Sequence, residues 1–426
     1  MQDDGHECRG FNTRAAHILG GDKTPHGATN APLYLSSGFS ADSADELAER
    51  FAGRRPGYIY SRISNPGVSA FEQQFASLEE GRGAIACSSG MAAISAVILT
   101  LCRTGDRVVA GSSLFGGTLM LFDSLLERMG VDVEYIDPSE TQSFARAAEG
   151  AALCFVESIG NPKLDVVDVG ALAEICSNEG TPLVVDSTLA TPYAASGRAL
   201  GAHLTVHSTT KFAAGTGNSV GGLVVDTGLF DWKKCRDPEV AESARRFGKE
   251  LGFLALARRQ VTRNTGNGMA PFDAFLQCTG LQTLGLRMER HCANAQALAR
   301  FLERHELVES VNYPGLQSSP WYDIATRQFG TSCGALLTLR LGSSARALRF
   351  IDALDLAINT ANLGDVRTMV IHPASTIYRD LSERSRAAAG VTDDLVRVSV
   401  GIEQVDDLIH DFDRALRNGE TDDTTT

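Results

Sequence analysis

An α/β fold, with a mostly parallel sheet wrapped by helices and a smaller C-terminal α+β domain, is predicted by three features of this 426-residue chain. From about Ala70 to Val225, helix-like segments alternate with short apolar runs of strand character, the pattern of a sheet covered by helices on its faces. Beyond Val225 a long helical pattern is followed by two further strand-like runs with helices between and after them, which indicates a second, smaller domain. The 43% apolar and 21% charged composition is that of a globular chain, and the length suffices for a large core.

Taken in order, the first eight residues are polar and are expected to be disordered. Strands are read at 84–87, 107–110, 152–156, 183–185 and 203–207, each a short apolar run. An apolar helix at 92–101 follows the first of them. Residues 226–270 mix charges and lead into one long helix at 271–305, where Phe275, Leu276, Leu281, Leu284, Leu286 and Met288 among arginines and glutamates mark a core face. Residues 334–339 and 395–400 read as strands, and the acidic, threonine-rich tail 418–426 has nothing to pack.

Composition also excludes functions. A formal charge of −13 opposes non-specific binding to nucleic acid or an anionic membrane. No run approaches the roughly eighteen apolar residues of a membrane span, and no basic-then-apolar leader opens the chain, so a cytoplasmic protein acting on small molecules is expected. The nine cysteines are odd in number, scattered, and without close pairs suited to zinc. Most are expected to serve as small hydrophobes, without disulfide or metal.

Chemistry is concentrated at the carboxyl ends of the strands, where ligands of such sheets lie. His207-Ser208-Thr209-Thr210-Lys211 places a lysine at a turn after a strand, and a run rich in small residues follows it. Singly this is an ordinary loop charge. Yet an amine held there could form a Schiff base with pyridoxal phosphate, and Asp186, at the end of Leu183-Val184-Val185, could keep the pyridine nitrogen protonated. Ser88-Ser89-Gly90-Met91 opens the helix at 92–101, and its free N–H groups suit a phosphate. Ser208 and Thr210 could add hydroxyl donors to that phosphate.

With these residues in view, the chain resembles the Cys/Met-metabolism family of pyridoxal-phosphate enzymes over nearly its whole length, which implies their fold type I architecture. Tyr60-Ser61-Arg62-Ile63-Ser64-Asn65-Pro66 is similar to the segment that grips the neighbouring subunit's phosphate, so the resemblance implies that Tyr60 and Arg62 act in trans. It further implies a homodimer pairing into a homotetramer. Glu157-Ser158-Ile159-Gly160-Asn161-Pro162 resembles the motif whose asparagine donates to the cofactor's phenolic oxygen, a role that falls to Asn161. Asp186-Ser187-Thr188 resembles the start of the ring-nitrogen motif and places Thr188 beside the cofactor. Val396-Arg397-Val398-Ser399 resembles the segment whose arginine, here Arg397, clamps the substrate's α-carboxylate. The implied domains are an arm at 1–69, a cofactor-binding domain at 70–270, a C-terminal domain at 271–418 and a tail at 419–426.

Two departures stand out. Most members stack a tyrosine on the ring, whereas Leu114-Phe115-Gly116-Gly117 offers Phe115, which stacks but has no hydroxyl with which to move a proton. Proton transfers would then pass to Lys211, Tyr60 or water. Thr216 replaces the histidine of a Gly-His-Gly pattern, which alters the local polar network. Phe115 resembles the O-succinylhomoserine sulfhydrylases, while Asn362-Leu363-Gly364-Asp365 and His372-Pro373-Ala374-Ser375-Thr376 resemble the O-acetylhomoserine branch and put Asn362 at the substrate. The resemblance therefore implies γ-replacement on an acylated homoserine by sulfide, yielding homocysteine in methionine biosynthesis. The alternatives are a succinyl-specific enzyme, a methionine or cystathionine γ-lyase, and a catalytically silent cofactor-binding scaffold.

Overall fold

Seven strands build the larger sheet: β1 (Gly83–Cys87), β2 (Arg107–Gly111), β3 (Asp132–Ile136), β4 (Leu153–Glu157), β5 (Leu183–Asp186), β6 (Leu204–His207) and β7 (Gly222–Asp226). The computed structural model describes residues 9–17 and 27–419. The polar first eight residues, Cys8 among them, and the tail from residue 420 onward lie outside the described residues.

The strands lie in the order β1-β7-β6-β5-β4-β2-β3. All neighbours from β3 through β6 run parallel. β7 runs antiparallel to both β1 and β6. The expected mostly parallel sheet is present, and its central strands are buried along their lengths because helices cover both faces. β3 departs from that pattern. Its Asp132, Glu134 and Tyr135 are exposed, as befits a strand at the sheet's edge, and such a mixed sequence carries no apolar run to reveal it.

The second sheet comprises β8 (Ser310–Asn312), β9 (Leu336–Arg340), β10 (Ile358–Asn359), β11 (Met369–Ile371) and β12 (Leu395–Ser399), ordered β10-β11-β12-β9-β8. Its pairs are antiparallel except β10 with β11. Helices Leu284–Glu303 and Ser344–Ala353 pack on it, and Val405–Asn418 packs on both of these helices.

The single helix expected over 271–305 is instead two, Pro271–Leu281 and Leu284–Glu303. Arg287 accounts for the break. Its buried guanidinium donates to the Gly280 carbonyl at 2.8 Å and to the Ala213 carbonyl at 3.0 Å, so the interrupted turn binds the backbone just beyond Lys211. Gly280 is required there, since a Cβ would stand 2.5 Å from the Ala214 carbonyl oxygen.

The eight described cysteines are buried and free. Among the described residues, no group of acids, histidines and cysteines is arranged to hold a metal, and no helix is long and apolar enough to cross a membrane.

Candidate active site

Parallel strands end on one side of a sheet, and four of these ends supply the site. β1 leads into Ser88 to Gly90, β4 ends at Glu157, β5 ends at Asp186, and β6 runs into Ser208 to Lys211.

Ser89 caps the helix Gly90–Leu101, its hydroxyl accepting the Ala92 N–H at 3.1 Å. Met91 follows Gly90 in the helix's first turn, partly buried. Gly90 lies so close to Ser208 that a Cβ there would stand 2.8 Å from the Ser208 Cβ and 3.0 Å from its Cα. The unpaired N–H groups of a helix start thus meet the turn carrying the Ser208 hydroxyl, a donor set that fits a phosphate without a cationic side chain. The Thr210 hydroxyl is engaged within that turn, accepting the Gly221 N–H at 2.9 Å and donating to the Gly221 carbonyl at 3.1 Å.

Asp186 accepts the Thr188 N–H at 2.9 Å, and the Thr188 hydroxyl, which also steadies this carboxylate, accepts the Ser208 N–H at 2.8 Å. Burial raises the Asp186 carboxyl above its ordinary range, with the Thr188 bonds opposing. A pyridinium beside it would supply the missing positive charge, so the position fits a ring nitrogen. Glu157 is its register partner on the neighbouring strand. Burial first, then the Asp186 charge, pushes the Glu157 carboxyl well above its usual range. It also accepts the Phe115 N–H at 2.6 Å and so holds the turn bearing that ring. Gly117 makes room for the ring, since a Cβ there would stand 2.6 Å from Phe115 Cε1.

Lys211 donates from Nζ to Asn362 Oδ1 at 2.6 Å. Burial, assisted by the Arg397 charge, lowers its amine to about 8. Gly364, with φ +76°, lets the C-terminal domain approach, because a Cβ there would stand 2.5 Å from the Phe212 amide nitrogen. Arg397, on β12, is buried and held from two sides, Nη1 donating to Asn161 Oδ1 and Nη2 to the Asn362 carbonyl, both at 3.1 Å. Its Nε is buried without a hydrogen-bond partner. An oriented guanidinium with an unused donor fits an incoming carboxylate.

The structure therefore gathers Ser89, Gly90, Asp186, Thr188 and Ser208 at the strand ends, and links Asn161, Lys211, Asn362 and Arg397 by hydrogen bonds. Tyr60 and Arg62 are joined instead to each other and to the surface. Tyr60 is 44% exposed, the Arg62 guanidinium lies over its ring at 5.5 Å, and Arg62 donates to the Arg263 carbonyl. Thr216 is exposed.

Two residues of this cluster were not singled out from sequence. Glu157 was visible only as the first letter of the Asn161 motif, although an acid ending an apolar strand level with Asp186 was a usable signal. Tyr378 is fully buried and donates to the Asn161 carbonyl at 2.7 Å, a contact 217 residues away that leaves no local trace.

A mostly parallel sheet presenting a buried lysine, a carboxylate and a donor set that fits a phosphate, with a buried arginine from the second sheet beside them, is the arrangement of a pyridoxal-phosphate enzyme of fold type I. The chain belongs to the Cys/Met metabolism PLP-dependent enzyme family, whose model matches residues 12–417. It is 40% identical to the O-acetyl-L-homoserine sulfhydrylase of Corynebacterium glutamicum, covering 95% of this chain and 96% of that protein. It is 39% identical to the O-succinylhomoserine sulfhydrylase of Pseudomonas aeruginosa, covering 96% of each. Among solved structures, one from Campylobacter jejuni that holds N′-pyridoxyl-lysine-5′-monophosphate superposes with a TM-score of 0.90 at 29% identity, covering 96% of this chain and all of that one.

Proposed function

We propose that the chain catalyses γ-replacement on an O-acylated L-homoserine, O-acetyl-L-homoserine foremost, with sulfide as nucleophile, giving homocysteine for methionine biosynthesis. The observation that carries this reading is Arg397, buried and oriented with its Nε unpaired, tied through Asn362 to the Lys211 amine. That pairing suits an α-amino acid bound by its carboxylate with its α-carbon near a base. The likeness to the Corynebacterium enzyme supports the acetyl ester.

In this reading Asp186 and Thr188 hold the cofactor's ring nitrogen, Ser89, Gly90, Met91, Ser208 and Thr210 its phosphate, Asn161 its phenolic oxygen, and Phe115 the face of its ring. Tyr60 and Arg62 complete the phosphate site of a neighbouring subunit within a homodimer that pairs to a homotetramer. Residues 1–69 form the arm, 70–270 the cofactor domain and 271–418 the substrate-binding domain of a cytoplasmic enzyme. Pyridoxal phosphate supplies an electron-withdrawing ring that stabilises negative charge at the substrate's α-carbon. Lys211, with its amine lowered to about 8, takes and returns protons at Nζ near neutral pH. Arg397 clamps the α-carboxylate in a bidentate fashion and so orients the α-carbon. Overall, the Cγ–O ester bond breaks, a Cγ–S bond forms, and acetate departs as sulfide gives up a proton. Phe115 has no proton to offer, which leaves these transfers to Lys211, Tyr60 or water.

Phe115 favours a second reading, the succinyl ester, and a γ-lyase would use the same lysine, aspartate and arginine. The deciding experiment is a matrix of acetyl-, succinyl- and phosphohomoserine against sulfide, methanethiol and cysteine, with products quantified. Homocysteine from acetylhomoserine and sulfide is expected to exceed 2-oxobutyrate. Dominant oxobutyrate would replace the transferase reading with a lyase, and the absence of any turnover would favour a silent scaffold.

A further inference from the structure

The turn carrying Phe115 is held by its backbone at two successive positions. Glu157 takes the Phe115 N–H, and the Tyr378 hydroxyl accepts the Gly116 N–H at 3.2 Å. Gly116 is the first residue of the helix Gly116–Leu121, so this N–H has no partner within the helix. The same Tyr378 hydroxyl donates to the Asn161 carbonyl, while the Asn161 side chain accepts from Arg397. Tyr378 itself comes from the segment between β11 and β12, so one buried oxygen joins three parts of the site that lie far apart in sequence. Its ring packs on Gly116, where a Cβ would stand 3.4 Å from Tyr378 Cε1. The side chain has no solvent exposure and its hydroxyl is committed both as donor and as acceptor, which rules out a direct part in proton transfer.

We propose that Tyr378 is a positioning residue: its hydroxyl fixes the ring-stacking turn of Phe115 relative to the Asn161–Arg397 pair, coupling the face of the cofactor to the carboxylate clamp. This rests on the roles assigned above to Phe115 and Arg397. Removing the hydroxyl leaves the Gly116 N–H and the Asn161 carbonyl without that partner while keeping the ring that fills the space.

The test is Tyr378→Phe in the full chain, read in three ways. Hydrogen–deuterium exchange over residues 114–119 is expected to quicken about 3- to 10-fold, with and without cofactor, as loss of one buried hydrogen bond implies. The visible circular dichroism of the bound cofactor is expected to shrink while its absorbance persists. KM for O-acetyl-L-homoserine is expected to rise about 3- to 10-fold, with kcat less affected. A folded variant with unchanged exchange, dichroism and KM overturns the proposal. Fast exchange of the Gly116 amide in the unsubstituted protein overturns it equally, without any variant. Because exchange and dichroism need no substrate, failure of the homoserine reading and failure of the Tyr378 reading remain distinguishable.

Discussion

Lys211 illustrates how one side chain sets function against stability. Its amine titrates at about 8 rather than 10.5, chiefly because burial disfavours the ammonium. Holding that ammonium in the folded, cofactor-free protein at pH 7 costs about 3 kcal/mol, and the hydrogen bond to Asn362 returns about 1 kcal/mol. Desolvation wins. Lys211→Met is therefore expected to stabilise the cofactor-free protein by about 2 kcal/mol at pH 7, although it abolishes turnover. The sign follows from proton counting. Between pH 8 and 10.5 the unfolded chain still binds the proton that the folded chain has released, so the unsubstituted protein gains stability as pH rises through that window. The advantage of the variant is thus full below pH 8 and fades toward 10.5. Urea titrations of both cofactor-free proteins at pH 7 and pH 10 measure it, and an advantage that grew with pH would contradict the assignment of burial as the cause.

Strands and turns convert that chemistry into geometry, and they differ in how openly the sequence displays them. β2, β4 and β5 are short apolar runs whose continuity announces burial on both faces, and β6, though interrupted by Thr205, follows the same spacing, so their positions and the residues at their carboxyl ends were legible. β3 was not, because an edge strand with Asp132 and Glu134 pays for its solubility in the pattern that would reveal it. The break between Leu281 and Leu284 was hidden for another reason: helical periodicity continues across it, and only the distant carbonyls bound by Arg287 interrupt the turn. Asp186 and Arg397 lie in motifs and could be picked out locally, whereas the contacts of Glu157 and Tyr378 depend on who faces whom across the sheet and across domains. The start of the helix Gly90–Leu101 offers a direct test of such geometry. Gly90→Ala adds a better helix former, a gain of up to about 1 kcal/mol. The new Cβ would meet the Ser208 Cα at 3.0 Å, and backbone cannot swing aside as a side-chain tip can. Overpacking of about 1–3 kcal/mol should prevail, spreading the phosphate cradle. Pyridoxal phosphate is expected to bind about 10-fold more weakly by absorbance titration, with secondary structure intact by far-ultraviolet circular dichroism. Unchanged affinity would mean that the helix start and the Ser208 turn do not share the phosphate.

Assembly decides whether one chain contains a complete site. Lys211, Asp186 and Arg397 converge within a single chain, whereas Tyr60 and Arg62 sit exposed on its surface, bound to Arg263 and to each other. An exposed arginine whose guanidinium meets a backbone carbonyl and a tyrosine ring suits the proposed role at a facing subunit's phosphate. Subunit mixing separates the two arrangements without a new structure. Take Arg62→Ala and Lys211→Ala, each expected to be nearly inactive alone, and let their subunits exchange. If Arg62 serves the partner's site, a mixed dimer has one site carrying both defects and one carrying neither, because the intact Lys211 of one chain meets the intact Arg62 of the other. Random pairing makes half the dimers mixed, and each has half its sites whole, so activity should recover to about one quarter of the unsubstituted level. If Arg62 serves its own chain, every site keeps a defect and mixing restores nothing.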